Sequence, residues 1–383
     1  MDIKVLPYKE TDNKTHLVKC IKKDEKLLEM IPHQPGEFSD SEPYFAQIVN
    51  PNKYGDYYNY YKNTYQLPTF KKNIFTPFTH IKIKKYTNKL LIINKKTDLS
   101  IWPQFNIKHI KNMENIQYDY IYAINLVLKG GQRWGEFMLD IIPYIYFCKS
   151  LLDSDSQIKL ILKKPMFDSL QYLVKKILNI DNEIIFIDHE QQLKIKNLYL
   201  IETCGPYASG LFPYQAYGNI PICLYKNIYN YIHQKLDYKK VLNLQNKVLI
   251  YTMRNTNNPI RTIINEENVI NYLKNYCVKN NYVFIPFYYK NYSIEDRIIL
   301  FNCAHIVLGS HGSANFHSYF CDKKTKIIEF IYVNNCHSCQ LPCLSFGQDY
   351  WQIPIKNQGQ FDTHVNIDND ALDSMKHILE NFS

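Results

Sequence analysis

From about residue 118 onward the apolar positions fall into two alternating spacings. "YIYAINLVL", "IKLILKK", "EIIFID" and "KNLYLIET" are short runs dense in β-branched and aromatic residues, the pattern of strands covered on both faces. Between them, "WGEFMLDIIPYIYFCKSLL" and "MFDSLQYLVKKILNI" space apolar residues three and four apart, which predicts helices. Pro143 is expected to kink the first of these. "PICLYKNIYNYIHQKL" predicts a long helix that closes this run. The alternation restarts with the strand "KVLIYTMR" and the helix "NEENVINYLKNYCVKN", for which Asn265 is the expected N-cap. The strand "YVFIPFYY" follows, then the helix "SIEDRIILFNCA", opened by Ser293 and Asp296 as a near capping box. The strands "HIVLGS", "KIIEFIY" and "YWQIPI" complete the second run.

Two successive β/α runs predict an α/β protein with two parallel-sheet domains facing each other, at residues 118–243 and 244–360. The segment 361–383 carries "DALDSMKHILENF", an amphipathic helix expected to pack back on the first domain. Residues 1–117 form an N-terminal extension rich in Pro, Tyr and Asn. Within it, "HIKIKKYTNKLLIINKK" predicts a β-hairpin turning at Thr87-Asn88.

Composition narrows this picture only slightly. The length of 383 residues exceeds what one core usually supports, about 250–300 residues. A hydrophobic content of 46% excludes disorder. The abundance of Tyr, Lys, Asn and Ile reads as coding bias of an AT-rich genome, so it carries no function. The net charge of +9 is spread among interspersed signs. It suits a small anionic ligand but forms no basic aromatic face, so no nucleic-acid partner is expected. No run of about 18 apolar residues exists to span a membrane. The first thirty residues are charged throughout, which points to cytoplasmic work, in a host cytoplasm if the protein is viral. The ten cysteines are scattered and are expected to be reduced and buried.

The candidate chemistry concentrates in "VLGSHGSANFHSYFCDKKTKIIEF", Val307 to Phe330. A buried strand delivers Gly309, Ser310, His311, Gly312 and Ser313 at its carboxyl end, where a helix is expected to begin. Parallel sheets bind ligands at that edge. Small residues let backbone approach a ligand closely, and helix N-termini attract phosphate. His311 can donate to a phosphate or a leaving oxygen. Glu329, near the end of the next strand, is placed to accept from two ribose hydroxyls. The plain alternative is a glycine turn with a capping histidine and a solvated strand-end glutamate. "DSDS" (Asp153 to Ser156) and "DND" (Asp368 to Asp370) have D-x-D spacing, but neither follows a strand at the ligand edge. "CHSCQLPC" supplies Cys336, His337, Cys339 and Cys343. Four ligands so close in sequence strain a tetrahedral zinc site. Buried thiols or one redox-labile pair are expected there instead, and no metal.

Several of these segments together resemble glycosyltransferase family 61. Gly309, His311, Gly312 and Ser313 are similar to its G-x-H-G-A turn, and Ile327-Ile328-Glu329-Phe330 to its V-I-E-L strand. "YTMRNTNNPIRTIINEENV" is similar to its S-R-R…R-x-I-x-N-E-E-E run through Arg254, Arg261, Asn265, Glu266 and Glu267. "GEFMLDIIPYIYF" is similar to G-H-F-L-L-D-x-L-P-R-L through Gly135, Phe137, Leu139, Asp140 and Pro143. The motifs occur in the family's order over residues 118–355. Glu136 replaces the histidine of G-H-F, Tyr144 the arginine after the proline, and Ala314 to His317 the end of the turn motif. The resemblance implies a GT-B-like fold, with two Rossmann-like domains across a cleft, and metal-free inverting transfer from a nucleotide sugar, usually UDP-linked. It implies a glycan or protein hydroxyl as acceptor and no cofactor. Donor binding then falls to Arg254, Arg261, Gly309, His311, Gly312, Ser313 and Glu329. The base comes from Asp140 or Glu136 in the first domain, with Asp140 preferred because it matches the motif. A non-catalytic sugar- or nucleotide-binding relative that lost the acceptor half is the competing expectation.

Overall fold

The structure is a computed structural model. It describes residues 2–4, 19–21, 29–30, 80–93, 105–110, 116–127, 133–165, 167–187, 190–204, 222–236, 247–254, 263–332, 339, 342–343, 346–355, 365–380 and 382. The described residues form two compact units that divide between Ile228 and Tyr229, inside the helix Ile222–Lys235 and not at the expected 243/244.

The first unit holds a seven-stranded mixed sheet. Its strands are β1 (His80–Ile93), β2 (Phe105–His109), β3 (Tyr120–Asn125), β4 (Lys159–Lys163), β5 (Ile184–Ile187) and β6 (Gln191–Cys204), with the short strand Glu29–Met30 at one edge. The strands β6, β3, β4 and β5 run parallel to one another. β1 pairs antiparallel with β6, and β2 with the second half of β1. Leu91, Ala123, Ile161, Leu193, Ile195 and Leu198 form part of the core over this sheet.

The expected hairpin at Thr87-Asn88 is instead the middle of one long strand. Asn88 has the positive φ of a turn residue, 52°, but β6 pairs with both halves of β1 in one unbroken register, from His80↔Cys204 to Ile93↔Gln191. Tyr118 Oη donates to Asn88 Oδ1 at 2.6 Å and the Ile110 N–H donates to its carbonyl at 3.2 Å. The turn signal is therefore a local left-handed residue, which Asn tolerates, within a strand templated from far along the chain.

The helical run 134–147 is π-helical over Phe137–Ile141, just ahead of Pro143. A proline has no N–H to give the carbonyl four residues back, here that of Leu139. Tyr225 Oη, from the helix α2 (Ile222–Lys235), donates to that carbonyl at 3.1 Å. The π turn carries Asp140, and such turns are frequent at functional sites. The short helix α1 (Lys149–Ser154) follows, so the "DSDS" segment closes a helix and leads into β4.

The second unit holds five strands, all parallel: β7 (Lys247–Thr252), β8 (Tyr282–Phe287), β9 (Ala304–Ser310), β10 (Lys326–Tyr332) and β11 (Asp349–Ile355). Their spatial order is β8-β7-β9-β10-β11. This is a doubly wound order, in which the chain reverses direction across the sheet between β7 and β9. The helices α3 (Glu266–Lys279) and α4 (Ile294–Asn302) connect the strands. Ser293 and Asp296 form the full capping box at α4.

Asn265 precedes α3 but makes no capping bond. Its amide is taken by Ile367, donating to that carbonyl at 2.7 Å and accepting from that N–H at 2.9 Å. The C-terminal helix α5 (Asn369–Glu380) was expected to pack on the first domain. It instead buries Ala371, Met375, Ile378 and Leu379 in the second unit's own core, beside Leu249, Tyr251, Leu273 and Ile353. Tyr276 Oη ties it to α3 by donating to the Leu379 carbonyl at 2.9 Å. Among the described residues no helix is long and apolar enough to cross a membrane.

Tyr225→Phe should leave the buried Leu139 carbonyl without its donor and cost about 1–3 kcal/mol. That loss is read as a lower denaturant midpoint for the first unit's transition; an unchanged midpoint would show that the bond contributes nothing.

Candidate functional site

The carboxyl ends of β7 and β9, where the strand order reverses, meet at a row of aligned residues. Thr252 pairs with Gly309, and Gly309 with Glu329. Residues in register on parallel strands present their side chains to the same face. Thr252 and Glu329 therefore flank a position with no side chain. A Cβ at Gly309 would collide with Thr252 Oγ1 and lie 3.0 Å from Thr252 Cβ. Asn315 bridges the two flanking residues. Its Oδ1 accepts from Thr252 Oγ1 at 3.1 Å, and its Nδ2 donates to Glu329 Oε1 at 2.8 Å and to the Ser310 carbonyl at 3.2 Å.

Glu329 is 1% exposed, yet it receives three donors. His311 Nδ1 lies 3.0 Å from Oε1, the Asn315 amide donates to the same oxygen, and Tyr350 Oη donates to Oε2. Burial alone would push its pKa up. The contact with His311 and the hydrogen bonds from His311, Tyr350 and Asn315 outweigh that and hold it below the ordinary glutamate value. Both oxygens are thus engaged inside the protein, and Glu329 acts on His311 where ribose hydroxyls had been expected. An ionised carboxylate only accepts, so Nδ1 carries the proton and Nε2, bonded to no described residue, is left for a ligand.

The turn itself is fixed by its backbone. The His311 N–H donates to the Phe330 carbonyl at 2.8 Å, which continues the β9–β10 ladder. Arg254 reaches over it, its Nε donating to Ser310 Oγ at 2.9 Å. A Cβ at Gly312 would collide with the Arg254 guanidinium, so glycine there lets the cation lie against the turn. The helix that follows, Ser313–Phe320, is 3-10. Tyr251 Oη donates to Glu266 Oε1 at 3.1 Å, and the Arg254 N–H reaches the same oxygen at 3.5 Å.

Arg254, Gly309, His311, Gly312, Ser313 and Glu329 are accordingly brought to one strand edge, while Arg261 lies outside the described residues. His317 belongs to the core. Its ring stacks on Phe301 at 4.8 Å and meets Phe287 edge-on. Burial pushes its pKa down to about 3, against the bond to the Ala314 carbonyl, so it is a neutral imidazole. Cys339 and Cys343 are buried free thiols with sulfurs 3.5 Å apart, and Cys339 Sγ donates to the Asn315 carbonyl at 3.4 Å. Cys336 and His337 lie outside the described residues.

The first unit holds the other two candidates. Asp140 is 2% exposed, and neither of its oxygens has a hydrogen-bond partner among the described residues. Burial, and then the charge of Glu136, raise its pKa well above the ordinary carboxyl range. Glu136 is half-buried, with Arg133 Nη1 at 3.6 Å.

Asn315, Tyr350, Thr252 and Ser310 were not singled out from sequence. Asn315 and Ser310 stand inside the stretch that was. Thr252 could have been found as the polar residue that follows the buried run Val248–Tyr251. Tyr350 is one of 33 tyrosines and carried no local signal.

The family model "Glycosyltransferase 61" matches residues 134–328 of the 383. No curated protein matches the chain. Among solved structures, the metal-soaked Flv1 flavodiiron core from Synechocystis sp. PCC6803 is similar at 11% identity and a TM-score of 0.24, over 62% of this chain and 78% of that one. That likeness is too weak to bear on the fold or the chemistry.

Gly309→Ala should destabilise the second unit by about 1–3 kcal/mol, because the new methyl meets strand backbone and a short side chain. Gly312→Ala should leave stability within about 0.5 kcal/mol, since the guanidinium that it displaces is flexible. Denaturant midpoints of the two variants test this contrast. Asp140 makes a pH prediction. Its folded-state pKa lies above its unfolded one, so the folded state holds the proton that the unfolded state loses. Stability therefore falls as pH rises from the ordinary carboxyl range until the folded-state pKa is passed. Asp140→Asn should remove that component, flattening the melting temperature against pH.

Proposed function

Because the chain belongs to glycosyltransferase family 61, we propose that it is an inverting transferase that moves a sugar from a UDP-linked donor to a hydroxyl of a glycan or protein acceptor. The observation that carries this reading is the convergence of Arg254, His311 and the glycine-lined turn on the β7/β9 switch point of the second unit. Doubly wound sheets bind ligands there. The donor's diphosphate lies against the Gly309–Ser313 backbone, within reach of the Arg254 guanidinium and with Arg261 as a further cation, while His311 Nε2 accepts from a hydroxyl of the donor. A guanidinium suits phosphate oxygens, and fixed donors aimed at a departing diphosphate favour its release. These groups meet the leaving charge without a metal ion.

In the transfer step the acceptor oxygen attacks the anomeric carbon, the bond from that carbon to the diphosphate breaks, and the acceptor proton passes to a carboxylate. The GT-B arrangement belongs to the same proposal, with the first unit supplying that carboxylate. Asp140 holds the family position, but its burial favours the protonated form, and it serves as base only as the carboxylate. Glu136 is the more exposed alternative. The burial of Asp140, which raises its pKa, also favours a second reading, in which the protein binds nucleotide sugars without transferring them.

A UDP-release assay over a panel of UDP-sugars separates these readings. An enzyme should release UDP from one donor, with kcat/KM about 10²–10³-fold lower in Arg254→Ala, the usual effect of deleting one charge-stabilising group, and lowered as well in His311→Ala. No release, with thermal stabilisation by UDP that His311→Ala abolishes, would support binding alone. Neither release nor stabilisation would overturn both readings for UDP.

A further inference from the structure

We infer that Tyr350 and Asn315 are positioning residues that act through Glu329 to hold His311 in the form with its proton on Nδ1, leaving Nε2 to the ligand. The proposal rests on the reading of His311 as a donor-binding group. It adds two residues, one of which, Tyr350, lies beyond the matched family segment.

The geometry that carries it is specific to this sheet. Ile327 pairs with Tyr350, and Glu329 with Gln352, so Tyr350 is the diagonal neighbour of Glu329 on the same face. From there its hydroxyl donates to Oε2. Oε1 receives both the Asn315 amide and His311 Nδ1. Asn315 is itself clamped by Thr252 Oγ1 and the Ser310 carbonyl, so its amide plane is fixed with the nitrogen toward Glu329. The other ionisable groups near this cluster are Cys339, whose sulfur bonds the Asn315 carbonyl, and Arg254, which lies over the turn. The carboxylate is buried, and burial is the largest single influence on it, favouring the neutral acid. It stays ionised because of its three donors. Removing one shifts the balance toward the neutral acid. A protonated Glu329 then donates its own hydrogen to Nδ1, and the neutral ring must carry its proton on Nε2. That reverses the role of the nitrogen facing the ligand, although the ring has not moved.

The test needs no substrate. Long-range 1H–15N spectra of the full chain, with the His311 signal assigned from its loss in His311→Gln, report which ring nitrogen is protonated. The wild type should show Nδ1–H at neutral pH. Tyr350→Phe removes one hydroxyl and should bring up the Nε2–H form, and Asn315→Ala should do the same. If Tyr350→Phe does not fold, Asn315→Ala carries the test. An unchanged Nδ1–H signature in the folded variants would overturn the proposal, as would Nε2–H in the wild type. In the release assay Tyr350→Phe should lower kcat/KM about 10-fold or more, the lower end of what outer partners of a working imidazole contribute. Should the wild type release no UDP at all, the transfer reading fails while the spectra still decide the role of Tyr350.

Discussion

One buried carboxylate organises the second unit. Glu329 is ionised in a sheet edge from which water is excluded, a state costly enough that its partners must all be in place. Those partners come from every side of it. His311 and Asn315 follow β9, Tyr350 stands in β11, and Thr252, which closes β7, holds Asn315 in turn. Side chains from four adjacent parallel strands therefore converge on one carboxylate, directly or through Asn315. Gly309 is the condition for this, because any side chain in its place would occupy the space across which Asn315 joins Thr252 to Glu329.

The first unit contains the opposite case. Asp140 is buried to nearly the same degree, but none of the described residues donates to it, and the neighbouring Glu136 adds a like charge. One carboxyl is driven to the anion and the other to the neutral acid, and the difference lies in donors rather than depth. Environments that push carboxyls apart in this way suit them to different tasks. Here the anion sits behind an imidazole and orients it. The neutral acid sits in a π turn created where Pro143 withholds an N–H and Tyr225 replaces it.

The alternation of strand and helix after residue 118 was legible because each element carries its own periodicity. So was the glycine–histidine turn, whose residue types are local to one strand end. What stayed hidden depends on distant partners. Asn88 reads as a turn until β6 is seen to pair with both sides of it. Asn265 reads as a cap until Ile367 takes its amide. The amphipathic pattern of α5 shows that one face is buried, but not against what, and that face lies in the second unit's own core. Glu329 looked like a solvent-facing ligand group because a strand-end carboxylate usually is. Its three donors lie at positions that no spacing rule connects. Tyr350 is the extreme case, one tyrosine among many, distinguished by the β10–β11 register alone.

Two histidines of one short segment show what that difference in partners does. His317 donates its Nδ1–H to a main-chain carbonyl and is packed among Phe287, Phe301 and Phe320. A carbonyl carries no charge to offset one on the ring, and the surrounding rings exclude water, so the imidazole stays neutral and serves packing. His311 makes the corresponding bond to a carboxylate, at the strand edge where the chain reverses across the sheet. The same side chain, in the same stretch, is thereby committed at one nitrogen and available at the other. A histidine with a hydrogen-bonded carboxylate behind it offers its other nitrogen as an acceptor, the arginine over its turn is equipped to meet an anion, and the residues that enforce that state are as much a part of the site as the ring itself.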